Sequence, residues 1–219
     1  LSLVKNAKAT LTPIGTMIDQ YQFQVLTEGK APSMFYLYHQ LYDQQGNPIE
    51  GAYADLNGDG QINSDDLYTI HKPTPDWMLG FSANLRFRGW TLSTSLRSNI
   101  GNYVFNGMAM NTGALRAMSY NDYQLNNLNS SYLDTRFNQR QYLSDYYLEN
   151  ASFLKMDNAT LAYNFGKIKE LFSLNASFMV QNVFTVTNYS GIDPEVEGGV
   201  DMKFYPRPRI FSLTLGFEF

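Results

Sequence analysis

"WMLGFSANLRFRGWTLSTSL", residues 77–96, is the stretch whose reading decides the fold. In its first half Trp77, Leu79, Phe81, Ala83, Leu85 and Phe87 fall on one face, and Gly80, Ser82, Asn84 and Arg86 on the other. That is the period of a β-strand, not of a helix. Only Arg88 and Gly89 separate this run from "WTLSTSL". A two-residue turn sets Phe87 opposite Trp90, Leu85 opposite Leu92, Ala83 opposite Thr94 and Phe81 opposite Leu96, so both strands carry their apolar residues on the same side.

The same period returns three times. "FLKMDNATLAYNF" (153–165) presents Ala159, Leu161, Tyr163 and Phe165; "LFSLNASFMVQN" (171–182) presents Phe172, Leu174, Ala176, Phe178 and Val180; the closing "IFSLTLGFEF" presents Phe211, Leu213, Leu215, Phe217 and Phe219. Among these outer positions only Thr94 and Tyr163 are not plainly apolar, and none is charged. The short segment 166–170, "GKIKE", joins the second pair as a turn. Upstream, "YQFQVLTEGKAPSMFYLYHQLYD" reads as two strands around "GKAPS", and residues 1–20 as a strand end plus loop. Helical spacing is nearly absent, so the chain reads as all β.

Alternation alone allows two classes. In a soluble sandwich the apolar face is the core; in a transmembrane barrel it meets lipid. The second is favoured by the connections, which are tight at 88–89 and 166–170 but long at 43–75, 98–150 and 183–208, like the short periplasmic turns and long extracellular loops of outer-membrane barrels. Phe87, Trp90, Phe165, Phe172, Phe217 and Phe219 gather at the tight-turn ends as one interfacial girdle, and Trp77 and Trp90 read as interfacial anchors. On the opposite face Arg86, Arg97 and Glu218 would line the lumen. At 53 residues, the 98–150 connection is long enough to be functional and partly structured.

Composition agrees. The 219 residues are 44% hydrophobic and 15% aromatic but only 16% charged, with a net charge of −4 and no cysteine. Disulfide and thiolate chemistry are excluded, and no basic footprint for nucleic acid exists. No run approaches the roughly 18 apolar residues of a transmembrane helix. His39 and His71 are the only histidines, and neither sits in a nucleophile motif. Asp193, Glu195 and Glu197 read as a solvated acidic loop, not a glycosidase pair, so no catalytic site is assigned and the chain is not read as an enzyme.

One motif carries metal chemistry. In "DLNGDGQINSDD" (55–66), calcium-loop positions 1, 3, 5, 9 and 12 fall on Asp55, Asn57, Asp59, Asn63 and Asp66, with the Gln61 carbonyl at position 7 and Gly60 at the sharp turn. Ca²⁺ takes about six to eight oxygens, and this spacing can wrap them around one centre. Asp66 stands where an EF-hand has glutamate, so the pattern is closer to dockerin-type loops. A structural Ca²⁺ is the expected cofactor; the bland alternative is an Asx-rich turn satisfying its own backbone.

"YLYHQLYDQQGNPIEGAYADLNGDGQINSDDLYTIHKPTPDWMLGFSANLRFRGWTLS", "YLENASFLKMDNATLAYNF", "QNVFTVTNYSGIDPEVEGGVD" and "YPRPRIFSLTLGFEF" together resemble the C-terminal portion of the SusC family (SusC/RagA-like) of TonB-dependent outer-membrane transporters, over most of the chain from about residue 34 onward. The resemblance implies the last strands of an antiparallel barrel of about 22 strands, an N-terminal plug, a SusD-like lipoprotein lid, energy from TonB, and oligosaccharide or peptide cargo. It places the chain in the Gram-negative outer membrane, in contact with lipid. The expected division of 1–219 is a single C-terminal barrel segment with the calcium-type loop at 55–66, a long extracellular loop at 98–150 and a terminal strand at 209–219. The chain begins in mid-strand and supplies too few strands to close a barrel, so it is expected to pack edge to edge against the rest of the same protein. The alternative is a secreted, calcium-stabilised β-sandwich that binds carbohydrate or acts as an adhesin.

Overall fold

The computed structural model describes residues 11–120, 124–125, 127–202 and 205–219. Six strands come first: β1 (Thr12–Ile18), β2 (Tyr21–Leu26), β3 (Met34–Leu37), β4 (Gln40–Tyr42), β5 (Pro48–Tyr53) and β6 (Tyr68–Ile70). Two long strands follow, β7 (Trp77–Phe87) and β8 (Trp90–Ile100). The chain then passes through β9 (Tyr103–Phe105), helix α1 (Gly107–Thr112), β10 (Ser119–Tyr120), β11 (Gln124–Leu125), helix α2 (Tyr132–Thr135) and β12 (Leu148–Asn150). It returns in β13 (Phe153–Ile168), β14 (Phe172–Thr187) and β15 (Ile210–Glu218). Two compact units result, one from residues 75–101, 151–188 and 205–219 and one from the remainder.

The first unit is a five-stranded antiparallel sheet in the order β15-β14-β13-β8-β7. The hairpin register is as the alternation requires, with Phe87 opposite Trp90, Leu85 opposite Leu92, Ala83 opposite Thr94 and Phe81 opposite Leu96. Arg88 and Gly89 both have positive φ, 46° and 86°, which gives the type I′ turn that matches the strand twist. The apolar face is uncovered: Phe81 is 62% exposed, Leu213 72% and Phe211 63%. A sandwich buries that face against a second sheet, so the sandwich reading is set aside. Among the described residues no helix is long and apolar enough to cross a membrane, which says nothing of strands.

Two departures from strict period two reshape β13. Between Met156 and Asn158 the register slips against both neighbours, so Asp157 is extra against β8 while Asn182 and Val183 together face it on β14. The bulge moves the outward set from Ala159, Leu161 and Tyr163 to Leu154 and Met156, which explains why the apolar alternation fades before Ala159. A second slip lies between Asn164 and Gly166, where Gly166 has φ +73°. The segment "GKIKE" is therefore not all turn. Strand β13 continues to Ile168, and the reversal is made by Lys169 and Glu170, with the Leu171 N–H donating to the Ile168 carbonyl at 3.0 Å.

In the second unit β1-β2-β3-β6 form one sheet, and β4-β5, β9-β12 and β10-β11 form pairs. The pair of strands around "GKAPS" belongs here, not to the wall of the barrel. Residues 12–18 are a strand and not a loop; a bulge between Ile14 and Met17, with Gly15 at φ +81°, hides it from a period-two reading. The expected strand end before it lies outside the described residues. Phe23, Phe35, Leu37, Phe105 and Met110 are fully buried and form the core with Phe137 and Tyr147. Much of that core comes from the 98–150 segment, where the Asn106 side chain caps α1 by accepting the Ala109 N–H at 2.9 Å.

Candidate functional site

The 55–66 loop sits between β5 and β6 and is wound around a carboxylate. Asp55 Oδ1 accepts the Gly58 N–H at 2.7 Å and Oδ2 the Gly60 N–H at 2.8 Å. Asn57 Oδ1 takes the Asp59 N–H at 2.9 Å and Asp59 Oδ1 the Gln61 N–H at 2.8 Å, two successive Asx turns. Gly58 and Gly60 have φ of 75° and 79°, which glycine adopts without cost. The end of the loop is a capping box: Asn63 Oδ1 accepts the Asp65 N–H at 2.8 Å and Asp66 Oδ2 the Asn63 N–H at 2.9 Å.

Asp66 is fully buried, and its Oδ1 takes the Leu56 N–H at 2.9 Å. Hydrogen bonds from the Asn63 backbone first, then from Leu56, Asn57 and the Asp55 side chain, hold its carboxyl below the usual carboxylate range. All six expected positions thus lie in one short loop. The donor chemistry fits a hard cation, since the loop gathers carboxylate, amide and carbonyl oxygens, although Asp55 Oδ1 and Asp66 Oδ1 each already accept two N–H groups. The oxygens are at present turned to the loop's own amides, and among the described residues no group of three or more His, Asp or Glu converges at one point.

A second polar centre in the same unit has no sequence signal. Asp145 accepts from the Tyr68 hydroxyl at 2.7 Å and the Gln40 N–H at 2.9 Å, and its Oδ2 lies 2.8 Å from His39 Nδ1. Burial, then the bond to Asp145, raises the Tyr68 phenol above its ordinary value. Beside it the buried Gln40 amide donates to the carbonyls of Leu41, Ile49 and Ala52 and accepts from Ser144 Oγ. The two sides of this network are about a hundred residues apart in the chain, and no local motif announces such a pairing.

The other singled-out residues separate. Asp193 is buried, 8% exposed, with Oδ1 taking the Glu195 N–H at 3.0 Å, so it is not a solvated acid as expected; Glu197 is exposed. His71 stacks on Tyr103 with centroids 3.6 Å apart, and burial lowers its pKa. Arg97 pairs with Asp157 at 2.7 Å on the polar face of the sheet, a partner made available by the bulge.

No family model matches the chain. The TonB-dependent receptor SusC of Bacteroides thetaiotaomicron is 36% identical over 199 residues, 87% of this chain and 20% of that protein. Over most of its length the chain is homologous to SusC and other TonB-dependent receptors. Receptor P3 of Formosa agariphila is 27% identical across 91% of the chain and 23% of its own length. This chain therefore spans about a fifth of the curated relatives it matches. Among solved structures, the RagAB peptide transporter aligns over 90% of the chain with TM-score 0.66 and 22% identity, and the 'open-open' state of the RagAB peptide importer over 93% with 0.68 and 21%. SusC-type homologues are outer-membrane β-barrel proteins and not enzymes, and the apolar-out sheet belongs in that membrane. The expected all-β, antiparallel fold is thus borne out, and it is similar to part of the RagAB structures.

Proposed function

We propose that the chain is part of an outer-membrane active importer of the SusC type, taking up oligosaccharides or peptides with a SusD-like lipoprotein as lid and TonB as energy source. The observation that carries this reading is the sheet with an apolar face outward and a polar face opposite, in a chain homologous to SusC. On the polar face Ser82, Asn84, Ser93, Ser95, Asn158, Thr160 and Ser177 offer weak, neutral hydrogen bonds beside a few charges, among them Arg86, Glu218 and the Arg97–Asp157 pair, a wall along which an oligomer passes without being held. The RagAB relatives are described as a peptide transporter and importer, and the curated relatives as TonB-dependent receptors; together they support cargo import over simple adhesion.

A structural Ca²⁺ in the 55–66 loop is part of the proposal. Asp55, Asn57, Asp59, Asn63 and Asp66 would hold it with the Gln61 carbonyl, neutralising three clustered carboxylates and reducing the entropy the loop has left to lose on docking. Deleting the full-length gene in its host and following uptake of labelled oligosaccharide and peptide pools tests the importer; uptake unchanged for every pool would overturn it. Metal content of the purified protein, before and after chelator, tests the loop. A protein free of metal in millimolar calcium removes Ca²⁺ from the reading.

A further inference from the structure

The unit that contains the 55–66 loop also encloses a cavity of about 440 Å³, within the range of small-ligand sites. Its lining includes Tyr146, Asp134, Glu149, Asn129, Ser130 and Ser190, and no Lys, Arg or His among the described residues. Glu149 is held rigidly: Oε1 accepts from Asn106 Nδ2 at 2.9 Å and Ser190 Oγ at 2.7 Å, and Oε2 from the Ser190 N–H at 2.7 Å. Asp134, on α2, is exposed, and its carboxylate makes no hydrogen bond or ion pair among the described residues. Tyr146 lines the same cavity as both. Burial first, then the charges of Asp134, Tyr42 and Glu149, raise its pKa.

Building on the importer reading, we propose that this cavity is a recognition subsite for a primary ammonium group carried by the cargo oligomer. An ammonium is a compact charge with three donors and no acceptor. It can share its protons between Asp134, Glu149 and the Ser130 hydroxyl while resting against the Tyr146 ring, an attraction that grows as water is excluded. The fixed Glu149 makes half of the site preorganised, and the unpartnered Asp134 supplies the charge that closes it. A lysine-bearing peptide and an amino sugar both carry this group.

The test uses the full-length protein in detergent and two probe pairs: N-acetyl-Ala-Lys-Ala amide against N-acetyl-Ala-Gln-Ala amide, and a glucosamine trisaccharide against its N-acetylated form. In at least one pair the amine-bearing member should bind about tenfold more tightly. Asp134→Asn should remove most of that preference, and Asp134→Lys should abolish amine binding while leaving the neutral probes unaffected. Discrimination confined to the peptide pair assigns lysine-bearing peptides; discrimination confined to the sugar pair assigns amino sugars. Equal binding within both pairs, or an Asp134→Asn protein that discriminates like the parent, overturns the subsite. Loss of the preference with cargo uptake intact leaves the importer standing, whereas intact preference without any uptake strikes the importer reading alone.

Discussion

Phenylalanine lives two lives in this chain. In the five-stranded sheet Phe81, Phe87 and Phe211 are 62%, 69% and 63% exposed, while in the other unit Phe23, Phe35 and Phe105 have no exposure at all. The sheet satisfies its backbone by hydrogen bonding between strands and leaves its apolar surface for lipid to cover. The other unit turns its aromatic rings on one another, with Phe23 and Phe105 centroids 4.5 Å apart, and builds a core as a water-soluble domain does. The same residue type therefore stabilises one region through its solvent and the other through its neighbours.

Substitutions can break that contrast. The largest effect is expected from Phe35→Ala or Phe105→Ala, where a filled core position becomes a cavity at a cost of about 3–5 kcal/mol; denaturant titration of the full-length protein, read by protease sensitivity of this unit, should show it, while Phe211→Ala at an exposed position should cost much less. Next comes Leu213→Arg, which places a charge among lipid tails and should cost about 2–4 kcal/mol if the residue lies near the bilayer midplane. Ser212→Arg, one residue away and on the other face, should be mild. Refolding yields into lipid vesicles would rank the pair, and the reverse ranking would overturn the assignment of faces.

Smaller effects sharpen the picture of both units. Gln40→Leu leaves the Ser144 hydroxyl and three carbonyls without their amide partner and should cost about 1–3 kcal/mol, visible as earlier thermal loss of this unit alone. Gly89→Ala should cost about 1 kcal/mol, because an alanine there must hold positive φ. The smallest effect is pH dependence in the 55–66 loop. The Asp66 carboxyl is depressed by its hydrogen bonds in the folded state, so its contribution is complete above the usual carboxylate range and disappears as pH falls through the folded value. Proteolysis of the loop should quicken only below that range, and Asp66→Asn should make cleavage independent of pH there.

The hairpin of β7 and β8 was legible residue by residue, because a short turn and strict alternation leave one register that keeps both apolar faces together. Where a bulge intervenes, that logic stops: Gly15 hid β1 and Asp157 hid the start of the outward face of β13. Of the candidate site, the order of oxygen donors in 55–66 could be read, since the spacing is local. The direction in which those oxygens turn could not, because it depends on backbone amides whose positions the fold sets. The Asp145 network and the cavity around Tyr146 were invisible for a different reason: their members meet only after distant segments have packed.

The slip at Asp157 also bears on how such a strand tolerates change over generations. Gaining or losing one residue within a strand turns every side chain beyond it to the wrong face, so most single-codon insertions and deletions in β13 should be lost to selection. At Asp157 the chain already carries the odd residue, with Asn182 and Val183 taking up the difference on the adjacent strand. A deletion there, matched by loss of both Asn182 and Val183, would restore an unbroken ladder with both faces preserved. The bulge is in that sense a place where reading frame and sheet geometry can be traded against each other, and the Arg97–Asp157 pair is what selection would have to give up in the exchange.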